Sequence, residues 1–425
     1  MKYDVLIVGA GHGGSQLAAA LVAGGYEGTV GLVGDEVAAP YERPPLTKGY
    51  LAGGVLSADL AFRSEDWWAA SGIERMLGSR VVSVDSQAHT VALEDGGLIG
   101  YGTLVWAAGG EARRLTVPGA DLHGVHVIRT LADAEHVKRS LDGARRAVIV
   151  GGGYIGLEAA ASLRLKGVEV TVVETLDRLL MRVTGDEISS YIQARHAREG
   201  VDVLLGETVT EMAGANGQVT GVRLASGRVL EADLVIVGIG LIPNVGPLEQ
   251  AGAEVGNGVH VDDYCRTTLH DVYALGDCAS FVSEFAASQR IRLESVQNAN
   301  DQAKLVASAI LGDPKTYGAV PWFWSHQYDD RLQTVGVLAG YDETVVRGDA
   351  TSGKFSVVYL RSGAVAAVDC VNNVRDYAQA KRILGRTAPA DRSRLADPEE
   401  PFKAIFASSA SGHARSELAA DRVAQ

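Results

Sequence analysis

Short apolar runs alternate with glycine turns and helix-like stretches along most of the chain. Tyr3–Val8 is an apolar run of strand length, and Gly9-Ala10-Gly11-His12-Gly13-Gly14 follows it. The alanine- and leucine-rich Ser15–Ala23 predicts a helix, which Gly24-Gly25 ends. Thr29–Val33 predicts a second strand, closed by Gly34-Asp35. The same order returns later. Ala147–Val150 predicts a buried strand, Gly151-Gly152-Gly153-Tyr154-Ile155-Gly156 a turn, Leu157–Lys166 a helix ended by Gly167, and Val168–Val173 the next strand, ended by Glu174.

Other segments fit around this repeat. Leu104-Val105 leads into Trp106–Gly110, Leu234–Gly240 predicts another buried strand, and Val272-Tyr273-Ala274-Leu275-Gly276-Asp277 predicts a strand ending in Gly-Asp. Residues 294–311 predict a helix. From about residue 318 the texture changes. Alternation in Phe355–Leu360 and Ala364–Val368 predicts an antiparallel sheet. Residues 386–401, rich in Pro, Asp and Arg, predict an irregular connection, and the small, polar segment from Ser408 onward predicts a mobile tail.

Composition narrows the reading. The 425 residues are 47% hydrophobic, enough for several buried cores. The 51 glycines cluster after apolar runs, which suits tight phosphate-binding turns rather than low complexity. A net charge of −13 argues against sequence-independent nucleic-acid binding. It leaves room for a local basic patch facing an acidic partner. Cys265, Cys278 and Cys370 are odd in number and form no CxxC, so a reducing compartment is expected and a disulfide framework is not; no metal site is expected in the chain either. Lys2 and the apolar Val5–Val8 imitate a signal peptide, but Asp4 and the glycine cluster interrupt the run. No uncharged apolar run has spanning length, so the chain is expected to be soluble and cytoplasmic, without membrane association. Nothing in the pattern addresses oligomeric state.

A pyrophosphate is a doubly charged anion that must come close to backbone. Gly9 permits the tight turn, Gly11 removes a side chain where phosphates lie, and Gly14 lets the helix pack on the strand; the helix N-terminus then offers free N–H groups. Asp35, or its neighbour Glu36, is the candidate ribose acceptor. The second copy offers Gly151, Gly153 and Gly156, with Glu174 as its acid. A carboxylate there accepts from a ribose 2′-hydroxyl and repels a 2′-phosphate, so NADH is expected over NADPH. Arg178 and Arg182 just downstream either soften that repulsion or form a solvated helix face. One glycine motif is a weak signal; two, each between a strand and a helix and each with its acid, are a strong one. Gly276-Asp277 assigns the copies. An aspartate at that strand end suits the ribityl hydroxyls of a flavin, and a plain strand-ending turn is the competing reading.

Several segments together resemble a known family, the FAD-dependent NADH:ferredoxin reductases of bacterial oxygenase systems. They are Tyr41–Lys48, Gly151–Glu158, Gly238–Pro243, Ala274–Cys278, Glu294–Ala299 and Pro321–Ser325, and the likeness extends to about residue 406. The resemblance implies a glutathione-reductase-like α/β fold with two Rossmann-type dinucleotide-binding domains and a C-terminal α+β domain. The expected boundaries are 1–112 and 241–317 for the FAD domain, 113–240 for the NAD domain and 318–407 for the C-terminal domain, with the tail at 408–425. It implies an FAD site formed by the first glycine turn including Gly13, by Asp35, Arg43, Lys48 and Arg129, by Val82 or Val81 at the adenine, and by Asp277 and Val296. Val296 opens a helix whose N-terminus faces the flavin. On the NAD side it adds Ile155, Glu158 and Gly238, and Arg182 is kept as a candidate contact. Two positions depart from the family pattern: Ala108 stands in place of Thr and His326 in place of Asp. His326 leaves flavin-edge or partner chemistry open against a packing role.

The implied reaction is hydride transfer from NADH to FAD, followed by electron delivery to a [2Fe–2S] ferredoxin. Lys48 is expected to pair with Glu158 beside the flavin. Trp322 and Trp324 are candidates to cover the flavin edge, or else core of the C-terminal sheet; Trp324 is carried as an FAD contact. Arg63, Arg290, Arg292, Lys304 and Arg331 are candidates for docking an acidic ferredoxin. A disulfide or peroxide reductase would need a cysteine near the flavin, and residues 35–60 hold none. An NADH oxidase, or a reductase of rubredoxin or a quinone, remains an alternative, as does a non-enzymatic redox sensor.

Overall fold

In the computed structural model, residues 1–389 and 391–406 are described; the tail from Ser408 lies outside them. The chain starts with the strand Lys2–Val8, whose inward residues are almost fully buried. Helix His12–Ala23 returns the chain so that Val30–Gly34 pairs parallel with the first strand, Val5 beside Val30 and Val8 beside Val33. Strand Leu98–Trp106 pairs on the other side, Val8 beside Trp106. The sheet runs Glu74–Leu77, Val30–Gly34, Lys2–Val8, Leu98–Trp106, Thr90–Leu93, Val81–Asp85, with Val272–Ala274 also parallel to Leu98–Trp106.

Thr90–Leu93 and Val81–Asp85 pair antiparallel at one edge of that sheet, and a second, wholly parallel sheet repeats its parallel part. Its order is Val201–Leu205, Glu169–Glu174, Arg146–Val150, Leu234–Val237, Val125–His126. Arg146–Val150 is the strand that enters a glycine turn, and helix Tyr154–Leu165 leaves it. In each unit the glycine-turn strand lies inside the sheet, flanked by the strand that follows its helix and by one from a later segment. This places each turn at the carboxyl ends of the strands, where open α/β sheets bind ligands.

The glycines are dictated by close approach. Gly9 has φ +111°, and a Cβ on Gly14 would stand 1.9 Å from the Gly9 carbonyl oxygen. The second turn repeats this. Gly151 has φ +110°, and a Cβ on Gly156 would meet its carbonyl oxygen at 2.1 Å.

The C-terminal sheet is antiparallel and five-stranded, in the order Trp322–Gln327, Asp330–Gly336, Ala364–Val371, Lys354–Arg361, Glu343–Asp349. One continuous apolar cluster joins it to both other units, from Leu46 and Leu51 through Leu157 and Leu163 to Phe355 and Tyr359. Truncating a fully buried member such as Leu157 to alanine would cost about 2–5 kcal/mol. No helix among the described residues is long and apolar enough to cross a membrane.

Element boundaries need correction in four places. The two helices begin at His12 and Tyr154, about one turn earlier than Ser15 and Leu157, because packing against the strand overrides the poor helix propensity of glycine. The strand from Leu234 stops at Val237. The segment 386–401 is not wholly irregular: Arg392–Ala396 is a short helix, and the Asp391 side chain accepts from the Ser393 N–H at 2.9 Å.

Candidate active site

The helices after both glycine turns start without a side-chain cap, at Gly11 and Gly153. Their first N–H groups therefore lack an acceptor and favour an anion. At the first turn, Gly11 faces the Arg43 guanidinium, whereas Gly13 packs against Leu275, where a Cβ would stand 2.4 Å from a methyl group.

A chain of charged groups continues from that turn. Glu36 bonds Arg43 and the Tyr41 hydroxyl, each at 2.6 Å. Arg43 donates to the Arg129 carbonyl at 2.7 Å, and Arg129 pairs with Asp277 at 3.0 Å. Glu36 is thus committed to Arg43, while Asp35 is exposed at the end of its strand and has no ion pair among the described residues. Val82 is 41% exposed on its strand, and Val81 points into the core. His12, the first residue of the helix after that turn, is held down to about 4 by burial and then by the Arg43 charge.

A cavity of about 450 Å³ opens beside this chain, lined among others by His12, Lys48, Val296, Asn300, Trp324 and His326. The helix Val296–Ile310 points its N-terminus at it, and the Ser295 hydroxyl caps Asn298 N–H at 3.1 Å. Two features suit a flavin. The Asn300 Oδ1 is buried without a hydrogen-bond partner and waits for a donor. The glycine turn beside it leaves backbone bare for phosphates.

At one edge of the cavity the two nucleotide units meet. The Lys48 ammonium donates to Glu158 Oε2 at 2.6 Å and to the Pro44 carbonyl at 3.1 Å. Glu158, only 3% exposed, also accepts from Thr47 at 2.7 Å and, on its other oxygen, from Ser325 at 2.7 Å. Nearby, Tyr154 and Phe323 pack with ring centroids 4.5 Å apart, and burial raises the Tyr154 phenol.

In the second turn the Glu174 carboxylate accepts from Gly152 N–H at 2.6 Å and Leu176 N–H at 2.9 Å, which fixes it at the strand end. Gly238 lies directly under the turn, since a Cβ on Gly151 would stand 2.4 Å from its carbonyl oxygen. Ile155 is 44% exposed at the helix start. Arg178 turns away to Asp186 at 2.8 Å and to the Thr184 carbonyl at 2.9 Å, whereas Arg182 is exposed and without an ion pair among the described residues.

The two tryptophans pack together, ring centroids 5.4 Å apart, but differ in surroundings. Trp322 packs on the C-terminal core with Lys381 over its ring, while Trp324 lines the cavity. His326 stands at the rim; desolvation, then the charges of Arg331 and Lys48, lower its proton affinity. Arg290 is committed to the Ser280 carbonyl at 2.7 Å, and Arg292 to the Asp277 carbonyl at 3.0 Å and to Glu294 at 2.8 Å. Arg63, Arg290, Lys304 and Arg331 stay exposed. All three cysteines are buried and free, and burial pushes the Cys278 thiol up to about 12, which disfavours thiolate chemistry.

Thr47, Tyr41 and Asn300 belong to the site although no motif role points to them: Asn300 follows the Glu294–Ala299 run, and Thr47 and Tyr41 lie within Tyr41–Lys48. Among the described residues, His89, His270 and Asp271 form the group whose ligand atoms lie close enough for a metal ion, and none of the three lines the cavity.

Comparison with known proteins agrees with this geometry. Residues 3–303 match the model described as pyridine nucleotide-disulphide oxidoreductase, and residues 322–406 match the model described as reductase C-terminal. The ferredoxin reductase subunit of 5,5′-dehydrodivanillate O-demethylase from Sphingobium sp. (strain NBRC 103272 / SYK-6) is 50% identical over 406 residues, covering 95% of this chain and 98% of that protein. A ferredoxin–NAD(P)(+) reductase from Sphingomonas sp is 51% identical, covering 94% and 97%. The crystal structure of a covalent putidaredoxin reductase–putidaredoxin complex superposes with a TM-score of 0.91 at 39% identity, covering 95% of this chain and 98% of that one. With both models matched in order and an uncapped glycine-turn helix in each nucleotide unit, the chain belongs to the pyridine nucleotide-disulphide oxidoreductase family, in its form with a reductase C-terminal domain.

Proposed function

We propose that this chain is an FAD-dependent NADH:ferredoxin oxidoreductase. It passes electrons from NADH through FAD to a [2Fe–2S] ferredoxin that feeds an oxygenase, either a haem monooxygenase or a ring-hydroxylating dioxygenase. The observation that carries the reading is the meeting of Lys48 and Glu158 at 2.6 Å, one from each nucleotide unit, at the edge of the cavity. A group held in the first cradle and one held in the second would come together there.

FAD would be held by Gly9, Gly11, Gly13 and Gly14 at the pyrophosphate, Asp35 at the ribose, Val82 at the adenine, Arg43 and Arg129 along the chain, and Asp277 at the ribityl group. Val296, Trp324 and Lys48 would surround its ring. NADH would be held by Gly151, Gly153, Ile155, Gly156, Glu158, Glu174, Arg182 and Gly238. The fixed Glu174 carboxylate supports NADH over NADPH. Bound FAD supplies acceptance of a hydride and release of single electrons. The chain supplies placement and field. Lys48 would put a positive charge beside a bound ring, and the N-terminus of Val296–Ile310 would put a partial positive charge there. Alignment of the two bound rings is worth up to about 7–11 kcal/mol in favourable cases. Arg63 and Arg331, exposed near the rim, would receive an acidic partner. Arg331 lies opposite His326 in the strand pairing, and Arg63 stacks on the cavity-lining Phe62.

The same reading assigns 1–112 and 241–317 to an FAD domain, 113–240 to an NAD domain and 318–407 to the C-terminal domain. The antiparallel pairing of Gly110–Ala112 with Leu241–Pro243, where the chain leaves and re-enters the first unit, supports those boundaries. A cytoplasmic location belongs to the proposal. The test is anaerobic bleaching of the flavin band by NADH, followed by NADH-driven cytochrome c reduction with candidate ferredoxins. Fast turnover with oxygen alone, unaffected by any ferredoxin, would favour an oxidase. No bleaching would favour a non-enzymatic sensor.

A further inference from the structure

The Glu158 carboxylate ends a hydrogen-bonded chain that enters it from the side opposite Lys48. Ser325 Oγ lies 2.7 Å from Glu158 Oε1, and Gln327 Nε2 lies 3.2 Å from Ser325 Oγ. Gln327 Oε1 is 2.8 Å from His196 Nε2, and His196 Nδ1 is 3.0 Å from the Tyr328 hydroxyl. Glu158, Ser325, Gln327 and His196 are 3%, 1%, 3% and 0% exposed, so bulk water does not replace these partners.

The carboxylate sets the direction of every link. It has no proton to give, so Ser325 must donate to it. A serine hydroxyl has one hydrogen, so its oxygen must accept from the Gln327 amide nitrogen. The other end of that amide is then the oxygen, and His196 must donate from Nε2. A neutral imidazole carries one N–H, so Nδ1 is bare and accepts from Tyr328. Burial, then the neighbouring Arg195 charge, lowers the His196 proton affinity and keeps this neutral form. Four donors therefore point one way and polarise one another toward Glu158.

The links come from different units. His196 is on the helix Asp186–Arg198 of the second nucleotide unit, and Ser325 and Gln327 are on the first strand of the C-terminal sheet. We propose that His196 is a positioning residue for the Lys48–Glu158 pair. Through Gln327 and Ser325, its Nε2–H holds the Glu158 carboxylate in the orientation that receives Lys48. This rests on the reading above, that Lys48 and Glu158 stand where hydride passes.

The experiment uses the holoenzyme. Stopped-flow flavin reduction at saturating NADH, the NADH dissociation constant and Tm are measured for His196→Leu, His196→Gln, Glu158→Gln and the double variant His196→Leu/Glu158→Gln. Nitrogen-15 NMR reads the His196 tautomer. His196→Leu is expected to slow reduction about threefold to tenfold with little change in the NADH dissociation constant. His196→Gln, which keeps an N–H donor near the Nε2 position, is expected to recover most of the rate. In the Glu158→Gln background the slowdown from His196→Leu should vanish while its Tm loss persists. A merely structural histidine would give the same slowdown in both backgrounds, and that result overturns the proposal. An Nδ1–H tautomer overturns it as well. If His196→Leu does not fold, Tyr328→Phe removes only the outermost donor, and an unmoved His196 resonance with an unchanged rate counts against the chain. A wild-type rate in Glu158→Gln would instead remove the site reading itself. A slowed Glu158→Gln beside an unaffected His196→Leu would remove only the positioning role.

Discussion

Lys48 and Glu158 lie 110 residues apart in sequence and meet at 2.6 Å, with the glutamate side chain 3% exposed and the lysine side chain 20% exposed. The partly exposed partner is the one that can be removed cleanly. Replacing Lys48 by Met leaves Glu158 with two hydroxyl donors, Thr47 and Ser325. Flavin reduction by NADH in stopped flow is expected to slow about tenfold to hundredfold, the worth of one charged hydrogen bond at roughly 1.5–3 kcal/mol. An unchanged rate would take Lys48 out of the chemistry.

Glu174 is the second lever. Its carboxylate is pinned by Gly152 and Leu176 N–H groups. Glu174→Gln keeps an acceptor for the turn and removes the charge. The ratio of kcat/KM for NADH to that for NADPH is expected to fall about tenfold, roughly 1.4 kcal/mol. A ratio that stays put would place cofactor choice elsewhere, with Arg182 the next residue to replace.

Stability should respond to pH through His12. Its folded value is lowered to about 4 from 6.5, so the folded chain holds this imidazole neutral. Between those values the unfolded chain binds more protons. The contribution is therefore complete above 6.5 and is lost as pH falls toward 4. Thermal unfolding of wild type and His12→Asn, compared from pH 7.5 to 4.5, should show the wild type losing several °C more over that interval. Parallel curves would contradict the assignment.

Docking is expected to rest on exposed rim charges. Arg331→Glu and Arg63→Glu should each lower kcat/KM for ferredoxin about tenfold and flatten its dependence on ionic strength, while NADH-to-dye turnover is unchanged. Equal losses with dye and ferredoxin would mean a folding effect.

Much of this was legible because local rules were obeyed. A strand that enters GxGxxG and leaves as a helix announces itself twice, and Asp277 sits at its strand end beside the cavity chain. The helix starts were misplaced because His12-Gly13-Gly14 reads as turn by propensity, whereas contact between Gly9 and Gly14 forces the helical path. The donors to Glu158 were invisible as a set, since Thr47 and Ser325 lie 111 and 167 residues from it. Arg292 looked available because charge in a sequence does not reveal which backbone carbonyl will claim it.

The strand Trp322–Gln327 has a consequence of its own. Trp324 and His326 line the cavity, and Ser325 and Gln327 belong to the buried row behind Glu158. These two sets interleave with the two-residue period of an extended chain. A one-residue slip in pairing would exchange them, sending tryptophan inward and the hydroxyl outward. Deleting a single residue ahead of Trp324 should therefore do more harm than any point substitution within the strand. Length here is as strictly specified as composition.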